Sequence, residues 1–146
     1  MDKLNNVKLG FLYFFANDLP SMRHFYTDIL GLNECNYFED SQFGWLCYQM
    51  ESFQMMWFRS STKIPILNDW ADQPGYSKGI LEVPSWSIQM NETQFQDTIN
   101  TIKEEGYPIF QDAPELRQDS YWGFTVRDPM GNTVELYYIP KKTEIK

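Results

Sequence analysis

The chain has one histidine, His24, and two cysteines, Cys35 and Cys47, in 146 residues. A single histidine excludes a histidine-rich metal centre. Two cysteines are too few for a disulfide framework and lack metal-ligand spacing, so they read as reduced thiols of a cytoplasmic protein. Bases are also scarce: 12 against 20 acids, a formal net charge of −8. DNA, RNA and anionic membranes each need a basic footprint, so none of them is expected as a partner. The acid excess suits a cationic small molecule, and it is equally the ordinary surface of a soluble protein. No stretch approaches the ~20 apolar residues of a membrane helix. The apolar run Leu9–Ala16 ends at Asn17-Asp18 without a small-x-small cleavage site, and no secretory leader is read there. The 8 glycines are scattered and form no phosphate loop. His24, just after a helix cap, reads as a surface or edge residue, which leaves no serine or cysteine a partner for a nucleophilic triad.

What the chain does hold is apolar: 42% hydrophobic residues and 17% aromatic. That suffices for a packed core, or for two small fused ones. Val7–Phe15 reads as a buried strand. Asn17-Asp18-Leu19-Pro20 opens a helix, with a cap and a first-turn proline. Met22, Phe25, Tyr26, Ile29 and Leu30 form its apolar stripe, and Gly31 ends it. Asn33–Phe38, Phe43–Met50 and Phe53–Arg59 read as three strands separated by polar turns. Residues 60–84 form a long connection with three prolines, two glycines and one expected short helix near Ile66–Trp70.

The order then repeats. Ser85–Met90 reads as a strand, and Asn91-Glu92-Thr93 caps a helix with Phe95, Ile99 and Ile102 on one stripe, stopping at Gly106. Strands are expected at Tyr107–Gln111, Tyr121–Arg127 and Thr133–Ile139, with a polar stretch between the first two. Strand–helix–strand–strand–strand thus occurs twice. The fold class is α+β: two βαβββ modules, residues 1–60 and 85–146, joined by a connecting loop at 61–84. One helix covers only one face of a four-stranded sheet. Two such halves side by side would form a curved mixed sheet with a cupped cavity.

The sharpest local motif is Asp128-Pro129-Met130-Gly131-Asn132-Thr133-Val134-Glu135-Leu136. Asp128 can bond the turn amides, Pro129 presets φ and Gly131 supplies a positive φ. The string resembles the closing hairpin of the vicinal-oxygen-chelate superfamily, which includes glyoxalase I, bleomycin-resistance proteins and extradiol dioxygenases. Asn17-Asp18-Leu19, His24-Phe25-Tyr26 and Ile29-Leu30-Gly31-Leu32 resemble that superfamily's first helix. Together with the repeat, the likeness covers nearly the whole chain and implies one glyoxalase-like domain. It also implies a homodimer, since the family pairs its halves within one chain or swaps them between two.

Metal enzymes of that superfamily hold a divalent cation with four side chains, on the first and last strand of each half. Those positions fall here on Phe11, on Met56 (or Gln54 in a register shifted by two), on Ser85 and on Glu135. Only Glu135 is a good ligand for a hard cation. No metal and no other cofactor is expected.

Strand alternation then assigns the cup. Phe11, Tyr13 and Phe15 point inward, with Gln54, Met56 and Phe58, Ser85, Ser87 and Gln89, and Thr133, Glu135 and Tyr137. Such a cup is mostly aromatic and soft, suited to stacking flat or cationic groups. Aromatics on strands also fill cores, and the cup could be closed by its own side chains. Glu135 stands as a lone acid that could pair with a ligand cation, or with Tyr13 or Tyr137 in acid/base work; its motif also occurs in metal-free members of the superfamily. Trp70 and Tyr76, in the connection, are candidate lids or packing anchors. The leading expectation is a metal-free binder of a small, partly aromatic and cationic molecule. The rivals are a metal-dependent lyase or dioxygenase using Glu135, and an interaction module with a filled cup.

Overall fold

The computed structural model describes residues 7–73 and 78–142. The chain divides into two compact units, Met1–Pro65 and Ile66–Lys146. Each is a four-stranded mixed sheet with helix on one face, and the element order is βαβββ in both.

In the first unit the strands are β1 (Phe11–Ala16), β2 (Glu34–Glu39), β3 (Gly44–Gln49) and β4 (Gln54–Arg59). They lie in the order β1-β4-β3-β2, with only β1 and β4 parallel. Helix α1 begins at Leu19–Arg23 because Asp18 accepts the Ser21 amide at 3.0 Å and Pro20 presets the first turn. From His24 to Ile29 the coil widens into a π-helix, with the Leu30 amide donating to Phe25 O at 2.9 Å. Met22, Phe25, Tyr26, Ile29 and Leu30 are all buried. Their core partner is Trp57, stacked on Tyr26 at 5.4 Å and on Phe14 at 4.6 Å between ring centroids. Gly31, at φ +73°, ends the helix in the left-handed region.

The second unit holds β5 (Trp86–Gln89), α2 (Glu92–Glu105), β6 (Glu115–Arg117), β7 (Tyr121–Arg127) and β8 (Thr133–Tyr138). Its sheet order is β5-β8-β7-β6, again with one parallel pair, β5 and β8. A reciprocal capping box opens α2: the Gln94 amide donates to Asn91 Oδ1 at 2.8 Å, and the Asn91 amide to Gln94 Oε1 at 3.4 Å. Phe95, Thr98, Ile99 and Ile102 bury its inner stripe.

Two expectations fail here. The strand expected at Tyr107–Gln111 is reduced to a single bridge, Ile109 to Val126. The sheet's outer strand is instead β6, within the stretch read as merely polar. It pairs with β7 through a tight hairpin whose central residues, Gln118 and Asp119, have φ of 52° and 51°. The Ser120 amide closes that turn on Arg117 O at 3.0 Å. Two successive left-handed residues make the turn that matches strand twist, but Gln-Asp lacks the Asn-Gly signature that announces it.

The short helix expected near Ile66–Trp70 is absent: that segment has no helical turn and bends at Asp69. The Leu67 amide donates to Met130 O at 3.0 Å and the Ala71 amide to Thr133 Oγ1 at 2.9 Å. Bonds to the β7–β8 hairpin replace those of a helical turn. The hairpin itself is built as its sequence demands. Buried Asp128 accepts the Met130 amide at 2.9 Å, the Asn132 amide at 3.0 Å and Asn132 Nδ2 at 2.9 Å. Gly131 has φ +80°, and a Cβ there would lie 2.0 Å from Leu67 O. Among the described residues, no helix is long and apolar enough to cross a membrane.

Candidate functional site

On the sheet face of the first unit away from α1, strand register brings six of the sequence-derived candidates together. Phe11 lies opposite Gln54, Tyr13 opposite Met56, and Phe15 opposite Phe58. Side chains directly opposite on a parallel pair share a face. Phe11, Tyr13 and Phe15 are 49%, 59% and 56% exposed, unusual for large rings, whereas Met56 is buried. Tyr13 and Phe15 each lean on Phe58 at 5.9 Å, and Phe11 leans on Tyr13 at the same distance. Phe43 and Trp45 extend the ring surface, at 6.1 and 6.4 Å from Phe58. The first unit also has a cavity of about 370 Å³ beside Arg23, Thr27 and Tyr37. Its polar side chains are already engaged: Arg23 with Glu34 at 2.8 Å and over the Tyr37 ring, His24 with Asp28 at 2.9 Å.

The second unit carries a polar cavity of about 280 Å³, lined by Gln73, Ser85, Trp86, Ser87, Gln118, Tyr121 and Glu135. Ser87 lies opposite Glu135, and Gln89 opposite Tyr137, by the β5–β8 register. Ser85 sits one residue before β5 and still reaches the cavity.

Glu135 is not the lone acid that the sequence suggested. Arg117 Nη1 donates to its Oε2 at 2.5 Å and to Thr125 Oγ1 at 3.0 Å. Thr125 in turn donates to Gln73 Oε1 at 3.2 Å. The phenol that reaches Glu135 is Tyr121, at 3.2 Å from Oε2, whereas the Tyr137 hydroxyl donates to Gln89 Oε1 at 3.2 Å. Tyr137 contributes its ring, edge-on to Tyr121 at 5.2 Å. Burial first, and then the Glu135 charge, push the Tyr121 phenol above its ordinary value. It therefore stays protonated, as the donor this geometry requires.

The lid candidates part ways. Trp70 packs edge-on to Phe110 at 5.6 Å and under the Arg127 guanidinium at 4.0 Å, and it does not line the cavity. Tyr76 lies outside the described residues.

Sequence reasoning missed Arg117, Tyr121, Thr125, Gln73 and Gln118. One signal was present. Gly123 interrupts an otherwise aromatic and β-branched strand, and a glycine there marks a close approach. Arg117 makes it: a Cβ on Gly123 would fall 2.8 Å from Arg117 Cδ.

The superfamily's metal positions can now be tested by their chemistry. Phe11 offers a hydrocarbon ring and Met56 a thioether, while Gln54, which lies opposite Phe11, offers one amide. Ser85 offers a hydroxyl, and Glu135 already holds a guanidinium. This donor set does not fit a hard divalent cation. Among the described residues, no group of three or more His, Cys, Asp or Glu could hold a metal ion.

The sequence profile described as "Glyoxalase/Bleomycin resistance protein/Dioxygenase superfamily" matches residues 8–136. No curated protein sequence matches the chain. Among solved structures, the chain is similar to a glyoxalase/dioxygenase from Nostoc punctiforme, at 17% identity and TM-score 0.68 over 97% of both chains. It is similar to the fosfomycin resistance protein FosX from Mesorhizobium loti, at 12% identity and TM-score 0.62 over 93% of this chain and 94% of that one. It is also similar to lactoylglutathione lyase from Agrobacterium tumefaciens, at 17% identity and TM-score 0.57 over 89% and 92%.

Proposed function

Since the chain belongs to the glyoxalase/bleomycin resistance protein/dioxygenase superfamily, we propose that it is a small-molecule-binding member that works without a metal and without turnover. The observation that carries this reading is the row of exposed rings on the first unit, Phe11, Tyr13 and Phe15. A contiguous exposed apolar patch marks an interaction surface. Flat aromatic ligands stack on such faces, and their cations gain from the ring quadrupoles. The formal charge of −8 favours the same ligand class at long range. Glu135 adds no free charge to that preference, because Arg117 already meets it.

The polar cavity of the second unit, taken by itself, suits a different ligand chemistry. Ser85, Ser87, Gln73 and Gln118 offer hydroxyls and amides around the Tyr121–Glu135 bond. These groups donate and accept without a fixed charge of their own. A neutral, oxygen-bearing group is the chemistry they match.

The reading includes a homodimer in the cytoplasm, consistent with two free thiols. The test is titration with a planar aromatic cation such as acriflavine, followed by fluorescence and melting temperature. Saturable binding, weakened at least several-fold by Tyr13→Ala and Phe15→Ala, is expected. No binding across a panel of flat cations and neutral aromatics would overturn the assignment. In the same protein, native mass spectrometry reads oligomeric state and retained metal. A stoichiometric divalent ion would favour the metal-dependent enzyme instead.

A further inference from the structure

The two cysteines, which the sequence reads only as reduced thiols, meet on the first unit. Cys35 Sγ lies 2.8 Å from Cys47 Sγ, with both thiols free. A β-bulge brings them there. Glu34 pairs with Tyr48 and Asn36 with Cys47, so Cys35 is the extra residue between two register positions. In the register of Asn36–Glu39, Cys35 would lie opposite Tyr48; the bulge shifts the register so that it meets Cys47.

The environments of the two thiols differ. Cys35 is exposed, whereas Cys47 is 2% exposed. Burial, and then the contact with Cys35, push the Cys47 thiol up to about 12. The pair also begins a hydrogen-bond chain. Cys35 donates to Cys47, Cys47 donates to Gln54 Oε1 at 3.3 Å, and Gln54 Nε2 donates to Gln49 Oε1 at 2.9 Å. Gln54 lies opposite Phe11, at the end of the ring surface, and Cys47 lies opposite Met56.

We propose that Cys35 and Cys47 are a reversible dithiol–disulfide pair, oxidised through Cys35 by a low-molecular-weight disulfide and read out at Gln54. The exposed Cys35 thiolate attacks one sulfur of the small disulfide and expels one thiolate, leaving a mixed disulfide on Cys35. Capping Cys35 turns its sulfur from a hydrogen-bond donor into the electrophile, held against Cys47 Sγ. Cys47 then attacks the Cys35 sulfur and releases the second small thiolate. The protein pair loses two electrons and two protons, and the small disulfide gains them as two thiols. The S–H that Cys47 gave Gln54 is gone, so the Gln54 amide loses one partner beside Phe11. This inference stands apart from the proposed ligand and does not need it.

Glutathione disulfide is the probe, read by intact mass on the full chain. The wild-type protein is expected to lose the mass of two hydrogens, retain no glutathione and recover with dithiothreitol. Cys47→Ser is expected to accumulate one glutathione adduct at Cys35, because the resolving thiol is missing. In Cys35→Ser, Cys47 is expected to stay unmodified while folded and to react once unfolded in urea. The Gln54 side-chain amide resonance is expected to shift on oxidation of the wild type. A stable mixed disulfide on the wild type, a disulfide between two chains, no reaction at all, or an unmoved Gln54 resonance would each overturn the proposal.

Discussion

Arg117 and Glu135 meet at 2.5 Å across an intervening strand, with the guanidinium side chain 0% exposed and the carboxylate 8%. Arg117 leaves β6, crosses β7 above Gly123 and ends on β8. A buried pair of this kind adds little net stability, yet losing one partner strands a buried charge. Arg117→Met is therefore expected to destabilise the protein by about 3–5 kcal/mol. Arg117→Met combined with Glu135→Leu is expected to cost less than Arg117→Met alone. Urea unfolding of the two variants and the parent measures the difference.

Gly123 makes room for that crossing. A methyl group there would press on Arg117 Cδ at 2.8 Å. Gly123→Ala is expected to lower stability in the parent and to add little in an Arg117→Ala background. The non-additivity, seen in a double-mutant cycle, is the readout. Equal costs in both backgrounds would show that Gly123 serves some other end.

Asp119 occupies the second left-handed position of the β6–β7 turn, at φ 51°. A non-glycine residue there costs roughly 1–2 kcal/mol, and glycine removes the cost. Asp119→Gly is expected to raise the urea midpoint while leaving Gln118 at the cavity. An unchanged or lower midpoint would show that the turn is not strained.

Gly131 faces the opposite situation. It has φ +80° and no space for a side chain against Leu67 O. Gly131→Ala is expected to detach residues 66–73 from the β7–β8 hairpin. Limited proteolysis checks this: cleavage within 66–73 should quicken several-fold relative to the parent.

Acid should weaken the first unit through Glu34. The Arg23 hydrogen bond, reinforced by Thr27, holds the Glu34 carboxyl below its ordinary value of 4.5. A depressed carboxylate contributes stability that is present above the unfolded value and lost as pH falls through the folded one. Glu34→Gln is thus expected to be less stable than the parent near neutral pH. The gap should close below about pH 4.5, as the parent's own carboxylate protonates. Urea midpoints across that range decide it.

Some of the site was legible residue by residue. Phe11, Tyr13, Phe15, Gln54, Met56 and Phe58 share a face because strand alternation is a local property. Glu135 was legible as a candidate, but its state was not. Its partners Arg117 and Tyr121 lie 18 and 14 residues earlier in the chain, and a hairpin with no recognisable turn sequence brings Arg117 back. The Cys35–Cys47 contact needed a bulge, which no periodicity announces.

The sequence by itself determined the elements and their ends. Asp18 and Asn91 cap the helices, Gly31 and Gly106 stop them, and Asp128 with Gly131 shapes the closing hairpin. Each is a contact within a few residues, so its energetics travel with the local chain. Only the tertiary structure decided the charge of the site. Whether Glu135 faces a ligand as an anion or as half of a buried pair depends on which strand lies two places away. That is set by sheet order, a long-range outcome of core packing and hairpin closure.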